Sequence, residues 1–190
     1  MLANENFNGD VLIFPLLEIE YLKTNIKFNQ ADALVFTSIY ALENFQLEVK
    51  GVGTPVFAVG KRCDDMLRDI GVTNSFIFSN VRDLMDSLIK NFGNQGLVVF
   101  YLRGDEVSYD LSPELLANGF KVMEHIVYRQ KSVNKQKKLE KILARNKLEG
   151  IALFSEKSVD RLVNCVSRKN LDKKFFCFSK KIENRLRSVL

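Results

Sequence analysis

Short apolar runs alternate with helical patterns along most of this chain, and that rhythm constrains the fold more than any other feature. Residues 33–36 (ALVF), 55–59 (PVFAV), 75–78 (SFIF), 96–102 (GLVVFYL) and 120–128 read as five strands. Each of the first four is followed by a helical pattern. Residues 39–47 carry apolar positions at helical spacing. Residues 64–70 read as a helix closed by Gly71. Residues 81–89 repeat apolar side chains at i, i+3 and i+4 behind a capping Ser79 or Asn80. Ser112-Pro113-Glu114 opens a short helix that Gly119 closes. Strands that alternate with helices require crossover connections, hence a mostly parallel sheet with helices on its faces. The segment from about residue 29 to residue 125 is therefore expected to be a complete five-stranded α/β unit of flavodoxin-like size.

The flanks repeat the pattern in fragments. Residues 10–16 (DVLIFPL) are strand-like, and residues 135–146 predict a basic helix with Leu139, Ile142 and Leu143 as its apolar stripe. Residues 151–154 (IALF) and 175–178 (FFCF) are strand-like and end in Ser155 and Ser179. Helices are expected over 159–166 and 181–190. Fragments on both sides of a complete unit predict one domain inserted into another. ALVFTS and IALFSE echo each other across the two, each placing a Ser at a strand's carboxyl end.

Composition narrows the chemistry. The chain has one His, His125, and three cysteines, Cys63, Cys165 and Cys177, with no CxxC spacing. That argues against a zinc site, a disulfide framework and any centre needing two imidazoles. The apolar runs are far shorter than the roughly 20 residues of a membrane-spanning helix. The polar residues 1–10 lack the signature of a signal peptide, so a cytoplasmic location is expected. Residues 129–190 hold 18 Lys+Arg against 6 Asp+Glu, whereas residues 1–128 hold 10 against 17. Such asymmetry can mark an anion-binding half. Nucleic acid is not the expected anion, because the basic residues are dispersed over several helices and no aromatic stacking motif accompanies them.

The motifs resemble, in order, those of the uroporphyrinogen-III synthase family. Residues 15–20 (PLLEIE), residues 32–38 (DALVFTS) and residues 57–60 (FAVG) carry the resemblance through the first half. Tyr101-Leu102-Arg103-Gly104 with Leu111, Leu115 and Gly119, then Val127-Tyr128-Arg129, and Leu153-Phe154-Ser155 continue it, over about residues 10–185. The resemblance implies two flavodoxin-like, parallel-sheet α/β domains, the second inserted into the first and joined by a two-stranded connector. The host domain would be residues 1–17 and 130–190, the inserted domain 22–125, and the connector 18–21 and 126–129. It implies a cofactor-free, metal-free, monomeric lyase that cyclises hydroxymethylbilane, a linear tetrapyrrole rich in acetate and propionate groups, with inversion of ring D.

Ligands of open α/β sheets sit at the carboxyl ends of strands, near helix N-termini. Thr37, Ser38, Gly60, Cys63, Arg103, Gly104 and Ser155 are at such ends and are expected to bind substrate, Arg103 by gripping a carboxylate. The resemblance makes Tyr128 the candidate catalytic residue, as a donor to the departing hydroxyl. His125 is expected to be a strand residue, and Cys63 a helix-start residue whose pKa the helix N-terminus would lower. The basic helix near residue 140 is expected to be a solvated face with a secondary role in steering a polyanion. The sequence departs from the family at four places. Only about ten polar residues stand where the family normally has a βα unit before PLLEIE, and its last strand after the final helix is not found, so the host domain is expected to be short of at least a strand. The family's G-x-x-T turn reads Gly60-Lys61-Arg62-Cys63, and its counterpart reads Ser179-Lys180-Lys181-Ile182. These departures motivate an alternative expectation, an eroded, non-catalytic ligand-binding member of the same fold.

Overall fold

The computed structural model describes residues 10–51, 53–132, 136–144 and 148–190. The chain divides into two compact units, Ile19–Lys131 and a second made of Met1–Glu18 with Ser132–Leu190.

The larger unit is built on a six-stranded sheet. In chain order its elements are β1 (Leu17–Tyr21), β2 (Ala33–Phe36), α1 (Ile39–Glu43), α2 (Gln46–Lys50), β3 (Val56–Val59), α3 (Lys61–Asp69), β4 (Ser75–Phe78), α4 (Val81–Phe92), β5 (Val98–Gly104), α5 (Ser112–Ala117) and β6 (Lys121–Ser132). The strand order is β1-β6-β5-β2-β3-β4. The pairs from β4 through to β6 are all parallel. Burial follows from this order. β2 is central and wholly buried, which is why ALVF is apolar throughout instead of alternating. One face of the sheet, with Leu34, Phe36, Ala58, Phe100 and Leu102, packs on α1, α2 and α3 through Leu42, Val49 and Leu67. The other, with Val35, Phe57, Val99 and Tyr101, packs on α4 and α5 through Leu84, Leu88 and Leu115. Burying each such side chain is worth about 1.5–3 kcal/mol.

Two details differ from expectation. The helix expected over residues 39–47 is two short ones, because the helical path breaks at Phe45 (φ −129°, ψ 19°), just after the still-helical Asn44. The Asn44 side-chain amide donates to the Leu22 carbonyl at 3.4 Å and the Val127 carbonyl at 3.1 Å, and the Phe45 amide tightens onto the Leu42 carbonyl at 3.0 Å. The last strand does not stop at residue 128 but continues to Ser132, running beside β1 at the sheet's edge.

The smaller unit contains α6 (Gln136–Leu143), β7 (Gly150–Leu153), α7 (Glu156–Cys165), β8 (Lys174–Cys177) and α8 (Lys180–Val189). β7 and β8 pair in parallel. Leu139, Leu143, Leu153, Leu162, Ile182 and Leu186 form its core. The ends of the helix expected over 135–146 lie outside the described residues. Residues 10–16, expected as a strand, form none. Val11 and Ile13 are 64% and 84% exposed, and only Phe14 and Leu16 reach the core. A strand needs a ladder partner, and β2 shows how the larger unit provides one, bonding β3 on one side and β5 on the other. Among the described residues nothing pairs with residues 10–16, and Pro15 removes a backbone donor. No helix among the described residues is long and apolar enough to cross a membrane.

Candidate active site

In the larger unit the chain moves from β2 outward through β3 to β4, then returns to the other side of β2 with β5 and continues to β6. The connections therefore diverge between β2 and β5. Such a switch point opens a crevice at the strands' carboxyl ends, the usual ligand position in an open α/β sheet. Thr37-Ser38 follows β2, and Arg103-Gly104 ends β5, so these candidates flank that crevice.

The register brings Tyr128 to the same edge. Arg103 pairs with Ile126, but Gly104 pairs with Tyr128, so β6 carries one extra residue there. A bulge of this kind bends a strand and re-aims its side chains. Here it turns both Val127 and Tyr128 into the core, breaking the alternation of the strand. The Val127 carbonyl at the bulge accepts from the Asn44 side chain and from the Leu22 amide, the latter at 2.9 Å. Tyr128 is only 5% exposed. Its ring lies directly over Gly104, where an added Cβ would come within 2.7 Å of Cζ and 2.9 Å of the hydroxyl oxygen. It also meets the ring of Tyr40, the second residue of α1, edge-on with centroids 5.7 Å apart. Among the described residues no protein group is hydrogen-bonded to the Tyr128 hydroxyl. A phenol there can donate to a ligand entering the edge.

The remaining candidates take different roles. Ser38 caps α1, its Oγ accepting from the Tyr40 amide at 3.3 Å. Thr37 Oγ1 lies 3.3 Å from the buried Tyr101 hydroxyl, whose pKa is raised chiefly by burial. Gly60 begins α3 at φ +91°, a backbone conformation that Gly adopts without penalty. Arg103, expected to grip a ligand carboxylate, is already committed. Its Nε donates to Glu124 at 2.6 Å and its Nη1 to the Gly104 carbonyl at 2.9 Å, so it braces the turn under Tyr128. Cys63, expected in the binding set, is buried in the core, and burial pushes its thiol up to about 11. That corrects the expectation of a lowered pKa: the cost of an ionised sulfur in an apolar setting exceeds the pull of the helix N-terminus and of Arg62. In the smaller unit Ser155 is exposed and caps α7, accepting from the Ser158 amide at 3.1 Å.

Tyr40, Glu43 and Arg62 belong to this edge and went unread in the sequence. Arg62 stands inside the turn singled out at residues 60–63, and Tyr40 stands three residues past Thr37. Both positions were visible, but the contacts that give them meaning join separate elements.

The family model described as uroporphyrinogen-III synthase HemD matches residues 3–189. Among solved structures, the chain is similar to uroporphyrinogen-III synthetase from Helicobacter pylori 26695. The two are 16% identical with a TM-score of 0.67, over 91% of this chain and 80% of that one. It is also similar to a mutant uroporphyrinogen III synthase from the extremely thermophilic bacterium Thermus thermophilus, at 16% identity and a TM-score of 0.56, over 93% of this chain and 79% of that one. At such identities the structural likeness speaks for the fold. No curated protein sequence matches the chain. The family match spans nearly every residue, so the chain belongs to the uroporphyrinogen-III synthase family.

Proposed function

We propose that the carboxyl edge of the larger sheet is where this lyase handles ring D of hydroxymethylbilane, with Tyr128 as its catalytic residue. The reaction is the family's: closure of the linear tetrapyrrole to uroporphyrinogen III, in the synthesis of haem and related porphyrins. Water leaves the hydroxymethyl carbon and an azafulvene forms. Ring D attacks through its substituted carbon to give a spiro intermediate, which fragments and recloses with the ring inverted. These steps ask for orientation and a mild proton donor, without a cofactor.

The observation that carries this reading is the bulge that sets Tyr128 against Gly104. A buried phenol whose hydroxyl is bonded by no described residue, at a switch-point edge, is placed to donate to the departing hydroxyl. Backbone amides at the starts of the helices after β2 and β3, beside Thr37, Ser38 and Gly60, suit substrate carboxylates. Ser155 offers a capped helix start of the same kind in the smaller unit. The reading takes the two units as flavodoxin-like domains, one inserted into the other through β1 and β6. It takes the protein as a cytoplasmic monomer with no partner beyond its tetrapyrrole.

Tyr128→Phe tests the assignment. The ring and its packing stay, and only the donor is lost. Turnover to isomer III is expected to fall roughly 10²-fold, at the lower end of what a positioned acid contributes. A variant as fast as the wild type would remove Tyr128 from the mechanism.

A further inference from the structure

Arg62 is used by none of the roles above, yet it is held at the same edge. It is the second residue of α3. The other basic residues of that helix are paired four positions away, Lys61 with Asp65 at 3.0 Å and Arg68 with Asp64 at 2.7 Å. Arg62 has Met66 at that position and turns elsewhere. Its guanidinium carbon lies 5.9 Å from the Tyr40 ring centroid, within reach of a cation–π attraction. Its Nη2 lies 3.7 Å from Glu43 Oε1. That is an ion pair but longer than a hydrogen bond, so the N–H donors of the planar fork are not spent on it. The side chain is 69% exposed.

The group that holds Arg62 is itself held. The other Glu43 oxygen, Oε2, accepts from the Tyr21 hydroxyl at 2.6 Å. Burial, then Glu43, pushes Tyr21 up to about 12, so the phenol keeps its proton and the carboxylate keeps its donor. Tyr40, under the guanidinium, is the residue whose edge meets Tyr128. An unrestrained surface arginine samples many rotamers. This one has a ring beneath it and a clamped carboxylate beside it, next to the candidate catalytic phenol.

We infer that Arg62, held by Tyr40 and Glu43, binds a carboxylate of the pyrrole presented to Tyr128. The inference rests on the cyclisation reading above and extends it to the group that selects the substrate's side chains. Acetate and propionate arms are anions that a guanidinium grips with two parallel N–H bonds, and a weak surface pair with Glu43 is readily outcompeted. Tyr40 and Glu43 act as positioning residues, because they act through Arg62.

The test is the kinetics of isomer III formation from hydroxymethylbilane at several salt concentrations, for the wild type, Arg62→Ala, Arg62→Lys and Arg68→Ala. Arg62→Ala is expected to raise KM about tenfold, as for a lost charged hydrogen bond, with kcat changed less than about threefold. Its KM should also respond less to salt than the wild type's, because a screened attraction has gone. Arg62→Lys should fall between, keeping the charge without the fork, and Arg68→Ala should match the wild type. A KM within about twofold of the wild type for Arg62→Ala, or an unchanged salt response, overturns the inference. A wild type that forms isomer III with an indifferent Arg62 sinks this inference alone, whereas a wild type that forms none sinks the functional reading with it.

Discussion

Gly104→Ala should separate what the Tyr128 edge does for the reaction from what it does for the fold. Gly104 is not among the residues with positive φ, so alanine meets no backbone strain there. The obstacle is the ring. A Cβ would stand 2.7 Å from Tyr128 Cζ and 2.9 Å from Cε2. Carbon atoms rest about 3.5–4.0 Å apart, so the ring must retreat by about 1 Å. Tyr40 stands edge-on at 5.7 Å and leaves the ring little room to move that way. Overpacking of this kind costs about 1–3 kcal/mol. The reduced freedom of the unfolded chain returns roughly 0.4–1 kcal/mol, so the net loss of stability is expected at about 2.6 kcal/mol or less. The effect on rate should be larger in consequence, because a misplacement of about 1 Å can cost about 10²-fold. The assay is turnover to isomer III beside urea unfolding of the same samples, repeated in a Tyr128→Phe background. With the donor already gone, Gly104→Ala should slow the enzyme by no more than about threefold further, the non-additivity expected of groups that act as a unit. A Gly104→Ala enzyme within about twofold of the wild type would refute the reasoning. So would one whose loss is the same with and without the Tyr128 hydroxyl.

Two other residues give independent checks. His125 is half-buried against the Phe100 ring, its Nε2 without a hydrogen-bond partner among the described residues, and burial holds its pKa below 6.5. The unfolded chain then takes up a proton that the native state resists, so stability should fall as the pH drops through about 6.5 toward the lowered native value. His125→Leu should flatten the urea midpoint between pH 7 and pH 5 relative to the wild type, and an unchanged slope would contradict this. Arg103→Leu should destabilise by roughly 1–3 kcal/mol, because it removes the charge-assisted bond to Glu124 and frees the turn at Gly104. Lysine should restore little of it, lacking the fork. A urea-unfolding loss below about 0.5 kcal/mol for Arg103→Leu would show that this brace is idle.

The parts of the molecule legible in the sequence are those written in neighbouring residues. The all-apolar run ALVF announced a buried strand, and β2 is buried throughout, in the middle of the sheet. Asn80 was readable as a cap because capping is a contact over two or three positions, and its side chain accepts from the Asp83 amide. The strand ends were also readable, since Thr37-Ser38 and Arg103-Gly104 each close an apolar run, whereas the switch point between them rests on the strand order. What escaped was set by pairing between elements far apart in the chain. The extra residue opposite Gly104 depends on the register of β5 against β6, and no local pattern reveals it. The bond from Arg103 to Glu124 was not legible because the two are 21 residues apart. Cys63 was expected to have its pKa lowered by a helix start, but the apolar layer formed by β2 and β3 raises it. Residues 10–16 looked like a strand because their composition fits one, whereas a strand exists only where another can bond it.

The most direct test of the whole account is the isomer ratio when purified protein meets hydroxymethylbilane. Without catalysis the bilane closes to uroporphyrinogen I, so ring inversion is visible as isomer III, separable by chromatography after oxidation. The account predicts isomer III as the main product, in proportion to the protein added and depressed by Tyr128→Phe. Isomer I alone, in the same amount with and without the protein, would contradict it.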